Sequence, residues 1–539
     1  MKPFKAPVED ILFSLEHVAN AARLPEWDGE LVSQIVQHFA EFAEGEIAPV
    51  DEPGDIEGCR LEDGRVKMPK GFAEVFRSYA EQGWTGLSVP EAYGGQGMGG
   101  PVLAATSEIF TGACHSLQMV TGLVPGMVRT LLDFGTEAQR EAYIPLLAEG
   151  KLLATMCLTE PGSGSDLSTV RTRAVEDSGK WLITGEKIFI SGGDQDMSED
   201  VAHLVLARTG TLEEGIRGLS LFICRSTRPD GSRDGIMITR IEEKMGLHAS
   251  PTCQIAFDNM EAELVGKPGE GLKCMFTMMN HARIDVALQG VAHAARAHDV
   301  ASAYAAERKQ GRMPGVEGSA PIAHHPHVRN MLDEQAILAI GGRAMCHYAQ
   351  VALETGEHGA LVDFLTPVCK SFCTEAGMRS ADLGIQILGG YGYLREYRLE
   401  QTYRDARITA IYEGTNGIHA LTLATRLLRL DNGAPADAFL EMLREISVVT
   451  ADDGLSGIRE LWQGARNRMA QAGNPAEAAD DFMVLTAHAC LHAIWSLIEA
   501  RADHHPDPER MRRFAQKARA FASRKCRFAA SALEESAGE

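Results

Sequence analysis

The stretch RDARITAIYEGTNGI, residues 404–418, places the carboxylate of Glu413 directly after the apolar pair Ile411-Tyr412. Thr415 is a residue type that caps helix N-termini, and apolar residues follow it at helical spacing, which predicts a loop tip just before a helix. Burial beside the apolar pair raises a carboxyl pKa, whereas the positive end of a helix lowers it. A general base needs such tuning, although the same pattern also fits a glutamate that only caps the helix.

Length and charge limit the classes of function. A chain of 539 residues is too long for one hydrophobic core, which predicts two to four domains. The formal net charge of −22 argues against broad binding to nucleic acid or to an anionic membrane. Any polyanionic ligand must therefore meet a local basic site or a helix terminus.

The cysteine pattern and the apolar runs predict a cytoplasmic protein. The eleven cysteines form an odd set without a Cys-x-x-Cys pair, which is typical of reduced thiols. The N-terminal segment lacks the apolar core of a signal peptide, and we expect no segment long and apolar enough to span a bilayer.

The periodicity of apolar residues changes twice along the chain and predicts an α+β protein of four segments. Residues 1–155 have the pattern of a helical domain, and residues 156–271 alternate as short strands of a small barrel or sandwich. Residues 272–430 contain four long amphipathic segments, which predict a four-helix bundle. Residues 431–539 form a further helical extension after a linker signature.

Three other patterns have less specific interpretations. Residues 95–100 satisfy G-x-G-x-x-G, but a proline-broken run precedes them, so we interpret them as a glycine-rich loop. His324, His325 and His327 surround a proline and lack cysteine or acidic neighbours, so we expect no metal site. The cluster of basic residues at 510–527 fits either a surface for DNA or membranes or a docked helix whose basic side meets water or acidic surface; we favour the docked helix.

A second stretch, MCLTEPGSGSD at residues 156–166, offers the hydroxyls of Thr159 and Ser165 among small residues that let backbone approach a ligand. It occurs together with GEKIFISGG at 185–193, QILGG at 386–390 and YEGT at 412–415. With these four motifs in this order, the sequence resembles the acyl-CoA dehydrogenases from its N-terminus to about residue 430.

The resemblance implies a helical N-terminal domain, a β-domain, a C-terminal bundle and a noncovalently bound FAD. Glu413 matches the catalytic base. Phe189-Ile190-Ser191 matches a Trp-Ile-Thr that packs on the flavin ring, so an aromatic face and a hydroxyl are kept but an indole N–H is lost. The residues implied for FAD are Met156, Leu158, Thr159, Gly164, Ser165, Phe189, Ile190, Ser191, Arg308, Gln386, Ile387, Gly389, Gly390, Thr415, Asn416 and Gly417. Those implied for the acyl-CoA are Ser165, Asn280, Arg283, Tyr412 and Gly414.

The implied reaction converts an acyl-CoA to the trans-2-enoyl-CoA: Glu413 takes the α-proton, and a β-hydride passes to flavin N5. An electron-transfer flavoprotein is the implied electron acceptor. The extension beyond residue 431, the N-terminal residues 6–13 and the long loop 311–326 resemble a bacterial subgroup. This subgroup includes enzymes that act on 3-methylmercaptopropionyl-CoA, an intermediate of dimethylsulfoniopropionate breakdown. A short or medium fatty acyl-CoA is the other implied substrate, and the extension favours a homodimer over a tetramer.

Two alternatives share the fold. An acyl-CoA oxidase uses the same base and flavin but admits oxygen. A DNA-associated flavoprotein would use the basic residues 510–527, although a retained Glu413 argues against it.

Overall fold

The computed structural model describes residues 3–228, 230–315, 317–356 and 359–536. The chain forms two compact units, each assembled from separate segments. The helical unit comprises residues 1–42, 100–112 and 283–539, and the sheet unit comprises residues 43–99 and 113–282. These units do not coincide with the four sequential segments, whose boundaries stay a prediction.

Helices make up most of the described residues, and the strands are confined to the sheet unit, as expected for an α+β protein. The α-helices are α1 Val8–Phe13, α2 Gly29–Phe42, α3 Ala48–Glu57, α4 Phe72–Glu81, α5 Gly100–Thr121, α6 Val124–Phe134, α7 Glu137–Ala148, α8 Gly271–Glu307, α9 Pro326–Thr355, α10 Gly359–Leu388, α11 Leu399–Arg407, α12 Asn416–Leu421, α13 Ala434–Thr450, α14 Asp453–Gln471, α15 Ala479–Ala500 and α16 Pro508–Ser536. The four long segments predicted after residue 271 correspond to α8, α9, α10 and α12, the last of which continues as a π-helical turn to Leu427.

The strands of the sheet unit are β1 Arg60–Glu62, β2 Arg65–Lys67, β3 Leu152–Cys157, β4 Arg173–Asp177, β5 Lys180–Ser191, β6 Asp200–Arg208, β7 Leu219–Arg225, β8 Ile236–Ile241 and β9 Thr252–Val265. Strands β6, β7, β9, β5 and β4 pair in sequence, and β4 returns to β6, so the pairings close on themselves. Closure removes free strand edges, as in a small barrel. The β-region begins at Leu152, a little before the expected residue 156, because the parallel strand β3 joins β6.

Side-chain patterns explain why these strands form. Strands β6 and β7 are mostly apolar and buried on both sides, which is the pattern of core strands. Strand β9 alternates buried and partly exposed residues through Phe257, as expected when one side of the strand packs on the core.

The core of the helical unit continues into the C-terminal extension. Buried side chains of α9 and α10 pack in one cluster with buried side chains of α13, α14, α15 and α16. Trp462 is central to it, because its ring lies 5.0 Å from the ring of Phe439 and 5.6 Å from that of Phe482. The extension is therefore part of the bundle core and not a separate appendage.

Helix α15 corrects one expectation, because at 22 residues it is long and apolar enough to cross a membrane. Most of it is buried within the protein, however, and several of its polar side chains have internal partners. Thr486 accepts a hydrogen bond from the Trp462 indole at 2.9 Å, and Ser496 donates to Asp452 at 2.6 Å. A buried core helix satisfies the same criteria of length and composition as a membrane span.

Four of the eight basic residues at 510–527 pair with acidic residues of the helical unit, and the apolar side of α16 packs in its core, which agrees with the docked-helix interpretation. Arg519 lies 2.6 Å from Glu499, and Arg510 contacts Asp10 through two hydrogen bonds of 3.0 and 3.1 Å. Lys517 pairs with Asp333 and Arg512 with Asp503. Ion pairing of this kind leaves less of the positive charge for a polyanion.

Asp10 connects the N-terminal helix α1 to the extension and to α9. Its carboxylate accepts hydrogen bonds from His505 Nε2 at 3.0 Å and from Arg510, and Arg343 lies 3.7 Å away. Arg343 also donates to Glu108 of α5 at 2.9 Å. Burial alone would raise the pKa of Asp10, but His505, Arg343 and Arg510 hold it well below its usual range.

We expect Asp10→Asn to lower the free energy of unfolding by about 3 kcal/mol, because it leaves buried cationic groups without their carboxylate. Thermal unfolding followed by circular dichroism measures the change. Since the folded pKa of Asp10 is lowered, its contribution is present above the unfolded pKa of about 3.9 and is lost as the pH falls below that value.

Asp503→Asn is the matched control, because the Asp503 side chain is 81% exposed in its pair with Arg512 whereas that of Asp10 is 12% exposed. Such an exposed pair contributes less than about 1 kcal/mol. Equal effects of the two substitutions would contradict the role assigned to Asp10.

Candidate active site

The loop that carries Glu413 lies between two helices of the helical unit. Helix α11 ends at Arg407, a 3₁₀ turn covers Ile408–Ala410, and α12 begins at Asn416. The Thr415 hydroxyl accepts a hydrogen bond from the Ile418 N–H at 3.3 Å and caps α12. The alternative in which Glu413 only caps this helix is therefore wrong.

Glu413 has a strained backbone, with a φ of 55°, and Gly414 follows with a φ of 90°. A non-glycine residue in the left-handed region costs about 1–3 kcal/mol and persists only where its surroundings hold it. At Gly414 a Cβ atom would lie 3.0 Å from His419 Nε2, so only glycine fits there without strain.

The Glu413 carboxylate is a buried acceptor with unused capacity. Its Oε2 atom is buried and has no hydrogen-bond partner among the described residues. Burial raises the pKa of Glu413 to about 7, against the opposing charges of Arg283 and Lys370. A carboxyl group with a pKa near neutrality and a free, buried oxygen is suited to accept a proton from a bound molecule.

Three side chains hold the loop in this conformation. Lys370 of α10 donates from Nζ to the Gly414 carbonyl at 2.8 Å and to Asn416 Oδ1 at 3.0 Å. His419 Nε2 lies 3.1 Å from the Glu413 carbonyl, which can only accept, so this nitrogen carries the proton. Asn416 in turn donates to Glu375 at 2.9 Å.

A series of hydrogen bonds orients Tyr412 next to Glu413. Its hydroxyl donates to Gln289 Oε1, and Gln289 Nε2 lies 3.3 Å from Asp285 Oδ2. Ser107 of α5 donates to the other oxygen of Asp285. These contacts join α5, α8 and the loop, so Tyr412 has a defined direction beside Glu413.

The remaining predicted residues of the helical unit fall into two groups. Arg283 lies near the base, since its charge and that of Glu413 act on each other. Arg308, at the end of α8, stacks over Tyr391 at 5.9 Å, next to the predicted residues Gln386, Ile387, Gly389 and Gly390. The exposed Gly417 has open space around it. Asn280 belongs to the sheet unit, and its side chain lies outside the described ones.

In the sheet unit, the predicted flavin loop leaves the end of β3. Met156 belongs to that strand, not to the loop as expected, because it pairs with Leu204. Residues 158–166 follow, in which Leu158, Glu160 and Ser163 are buried and the glycines Gly162 and Gly164 are exposed. A Cβ atom at either glycine would meet nothing within 4 Å. Thr159 accepts a hydrogen bond from the Ile188 N–H through its carbonyl at 2.9 Å, which places this segment beside β5.

A buried ion pair anchors the same segment. Lys187 of β5 donates to the Leu158 carbonyl and to Glu160 Oε1, both at 2.9 Å. Glu160 also accepts from the backbone N–H groups of Arg171 at 2.7 Å and Thr172 at 3.0 Å. Although burial opposes it, these donors and the Lys187 charge hold the pKa of Glu160 below its usual value.

Phe189 is an aromatic side chain presented at a bulge of β5. The register of β5 against β9 shifts between Lys187 and Ile190, and Phe189 has a φ of 59°. Its side chain is 60% exposed, whereas Ile190 is buried and Ser191 pairs with Thr252. Bulges re-aim side chains next to functional sites, and an exposed phenyl ring is unfavourable in water unless a partner covers it.

Comparison with known proteins assigns these parts to one family. The model of the acyl-CoA dehydrogenase N-terminal domain matches residues 30–151, that of the middle domain matches 155–260, and that of the C-terminal domain matches 269–428. A 3-methylmercaptopropionyl-CoA dehydrogenase from Ruegeria pomeroyi is 39% identical over 509 residues, which cover 90% of this chain and 85% of the relative. The chain belongs to the acyl-CoA dehydrogenase family.

Two further relatives extend the comparison. The broad-specificity linear acyl-CoA dehydrogenase FadE5 of Mycobacterium tuberculosis is 32% identical, over 80% of this chain and 76% of its own length. The structure of an acyl-CoA dehydrogenase complexed with FAD from Bacillus anthracis has a TM-score of 0.77 and 22% identity, and it covers 99% of this chain and 92% of its own. The second similarity shows that the fold, including the helical extension, is shared.

The family assignment makes the protein an FAD-dependent oxidoreductase that acts on CH–CH bonds of acyl-CoA thioesters. The residues present fit that cofactor. In the sheet unit, Phe189 offers an uncovered aromatic face, and the segment around Gly162 and Gly164 leaves room for close approach. In the helical unit, the buried Oε2 atom of Glu413 has no hydrogen-bond partner among the described residues and can accept a hydrogen bond from a bound molecule.

Sequence reasoning missed the groups that support these loops. Lys370, His419 and Lys187 are buried side chains whose partners are loop oxygens. The sequence did indicate a buried position for Lys370, because it lies within the mostly apolar run LTPVCKSFC of residues 365–373. A lysine in such a run is buried only if its ammonium group has partners. Nothing in the sequence indicated which oxygens it would meet.

We expect Lys187→Met to lower the FAD content of the purified enzyme and to destabilise the sheet unit by about 3 kcal/mol, because Glu160 loses its buried counter-charge. The ratio of flavin to protein absorbance and limited proteolysis around residues 158–166 measure the two effects.

Lys180→Met on the same strand is the control, since Lys180 pairs with Glu261 at an exposed position. It should leave flavin content and proteolysis unchanged. Full retention of FAD by Lys187→Met would show that the ion pair does not support the flavin loop.

Proposed function

We propose that Glu413 is the general base that removes the α-proton of an acyl-CoA thioester. The observation that supports this role is its carboxylate, which is buried, has a pKa raised to about 7 and leaves Oε2 without a partner among the described residues. In its ionised form this oxygen can accept a proton, and burial removes the competing water that would weaken the base.

The neighbours of Glu413 prepare it for the transfer. The positive charges of Arg283 and Lys370 favour the ionised form that accepts the proton. The hydrogen bonds from Lys370 and His419 hold the loop, so the carboxylate keeps one direction through the reaction. When bound, FAD supplies the acceptor for the hydride that leaves the β-carbon.

The other predicted residues keep their proposed roles in binding. We assign FAD contacts to Met156, Leu158, Thr159, Gly164, Ser165, Phe189, Ile190, Ser191, Arg308, Gln386, Ile387, Gly389, Gly390, Thr415, Asn416 and Gly417. We assign acyl-CoA contacts to Ser165, Asn280, Arg283, Tyr412 and Gly414. The ordered direction of Tyr412 and the charge of Arg283 beside the base support two of these assignments.

We propose 3-methylmercaptopropionyl-CoA as the preferred substrate. The support is the 39% identity to the Ruegeria pomeroyi 3-methylmercaptopropionyl-CoA dehydrogenase, which extends over most of both chains. A linear fatty acyl-CoA is the second candidate, because the Mycobacterium tuberculosis relative is named a broad-specificity linear acyl-CoA dehydrogenase.

We further propose a homodimer, an electron-transfer flavoprotein as electron acceptor and a cytoplasmic location. The exposed aromatic side chains Tyr391 and Tyr393, the latter 84% exposed, lie next to the Gln386–Gly390 segment and offer apolar surface to a second subunit. The eleven cysteines are all free, which suits a reducing compartment.

Replacement of the base tests the mechanism. We expect Glu413→Gln to remain loaded with FAD but to lose substrate-induced flavin bleaching, with a rate reduced by about 10²- to 10⁴-fold because a general base is removed. Anaerobic stopped-flow absorbance measures the bleaching, and the exposed Glu396→Gln serves as control. Bleaching at the wild-type rate would reject Glu413 as the base.

A panel of thioesters tests the substrate. We expect the highest kcat/KM for 3-methylmercaptopropionyl-CoA, above butyryl-CoA and octanoyl-CoA, with ferrocenium as the electron acceptor. A preference for either fatty acyl-CoA of tenfold or more, about 1.4 kcal/mol, would favour the second candidate. Turnover with oxygen as the sole acceptor would indicate an oxidase.

A further inference from the structure

Lys370 is a fully buried lysine in the middle of α10, flanked by the buried residues Cys369 and Ser371. A buried ammonium group is costly unless its protons meet acceptors. Burial lowers the pKa of Lys370 to about 8, against the favourable charge of Glu413. The group is therefore mostly protonated at pH 7 and carries a positive charge inside the helical unit.

The partners of Lys370 are oxygens of the catalytic loop. Its Nζ donates to the carbonyl of Gly414, the residue after the base, and to the side chain of Asn416 at the start of α12. Thr374, one turn further along α10, lies 3.1 Å from the Asn416 amide nitrogen, and Glu375 accepts from the same group. One side of α10 thus holds both ends of the Gly414–Asn416 segment.

This anchoring coincides with the strained part of the backbone. Glu413 and Gly414 both have a positive φ, and each of their carbonyl groups accepts a hydrogen bond from a buried side chain, His419 and Lys370 respectively. Strain of this kind relaxes when the contacts that impose it are removed. Loss of the Lys370 contact would let the Gly414 peptide rotate and carry the neighbouring carboxylate with it.

We propose that Lys370 is a positioning residue for proton abstraction: its ammonium group holds the Glu413 loop in the strained conformation and supplies part of the positive charge that acts on the base. The inference rests on Glu413 being the base and goes beyond that assignment, because Lys370 acts only through Glu413.

The charge balance around Glu413 determines the direction of the expected pH effect. On α8, Arg283 is positive and Asp285 is negative; on α10, Lys370 is positive and Glu375 is negative. Burial lowers the pKa of His419 on α12 to about 3, so this side chain is neutral. Two positive groups of the described residues, Arg283 and Lys370, lower the pKa of Glu413. When Lys370 is removed, only the charge of Arg283 remains of this pair, so the pKa of Glu413 rises.

The experiment compares the FAD-loaded wild-type enzyme with Lys370→Met, Lys370→Gln and Lys370→Arg. Methionine removes both the charge and the hydrogen bonds, glutamine keeps a donor without the charge, and arginine keeps the charge. Lys525→Gln on α16 is the control for loss of a lysine at an exposed position. For each variant, kcat and KM for the best substrate are measured between about pH 6 and 9, a range that brackets the pKa of the base.

In the wild-type enzyme, kcat/KM should rise with pH through about 7, because the ionised base is the active form. Lys370→Met should move this rise about one pH unit higher, and it should lower kcat more than it raises KM. Lys370→Gln should shift the pH dependence of kcat/KM by the same amount, with a smaller fall in kcat above the new pKa. In Lys370→Arg, kcat/KM should rise at the same pH as in the wild-type enzyme.

Two results would overturn the proposal. A uniform fall in activity with an unchanged pH profile would mean that Lys370 only supports the fold, and unchanged kinetics would mean that it has no role. Should Lys370→Met fail to fold or to retain FAD, the comparison of Lys370→Gln with Lys370→Arg decides the question, since both keep a polar group. Failure of the base assignment itself is recognised separately, by undiminished bleaching in Glu413→Gln.

Discussion

The helical unit buries the carboxyl group of Glu413 next to two cationic side chains that favour its ionised form. Burial raises the pKa of Glu413 to about 7, and the charges of Arg283 and Lys370 act against that rise. Without them a carboxylate in this environment would stay protonated and could not accept a proton. The three residues come from α8, α10 and the loop before α12, so the packing of these elements determines the pKa of Glu413.

Both compact units use a buried lysine to hold a functional loop. In the sheet unit, Lys187 bonds to the Leu158 carbonyl and pairs with Glu160, while in the helical unit Lys370 bonds to the Gly414 carbonyl. A lysine suits this task because its three protons can reach several backbone acceptors from one buried point. Loops are the most mobile parts of a fold, and such anchors let them carry catalytic and cofactor-binding groups with a defined direction.

The C-terminal extension contributes to the same scaffold. Its helices share one core with α9 and α10, and Asp10 of α1 connects the extension to Arg343 at the centre of the helical unit. Acidic residues pair with four of the eight basic residues at 510–527, so about half of this positive charge is already balanced within the helical unit. The extension therefore packs against the helices α9 and α10, the second of which carries Lys370.

The sequence by itself determined the α+β class, the order of helical and β-regions, the family and the identity of Glu413 as the candidate base. These features depend on the periodicity of apolar residues and on short motifs, both of which are local properties of the sequence. Only the tertiary structure decided that Thr415 and not Glu413 caps α12, that Lys370 and His419 hold the loop, and that α15 is a core helix. Lys370 and Gly414 are separated by 44 residues in the chain, so their contact and the pKa that follows from it exist only after the helices pack.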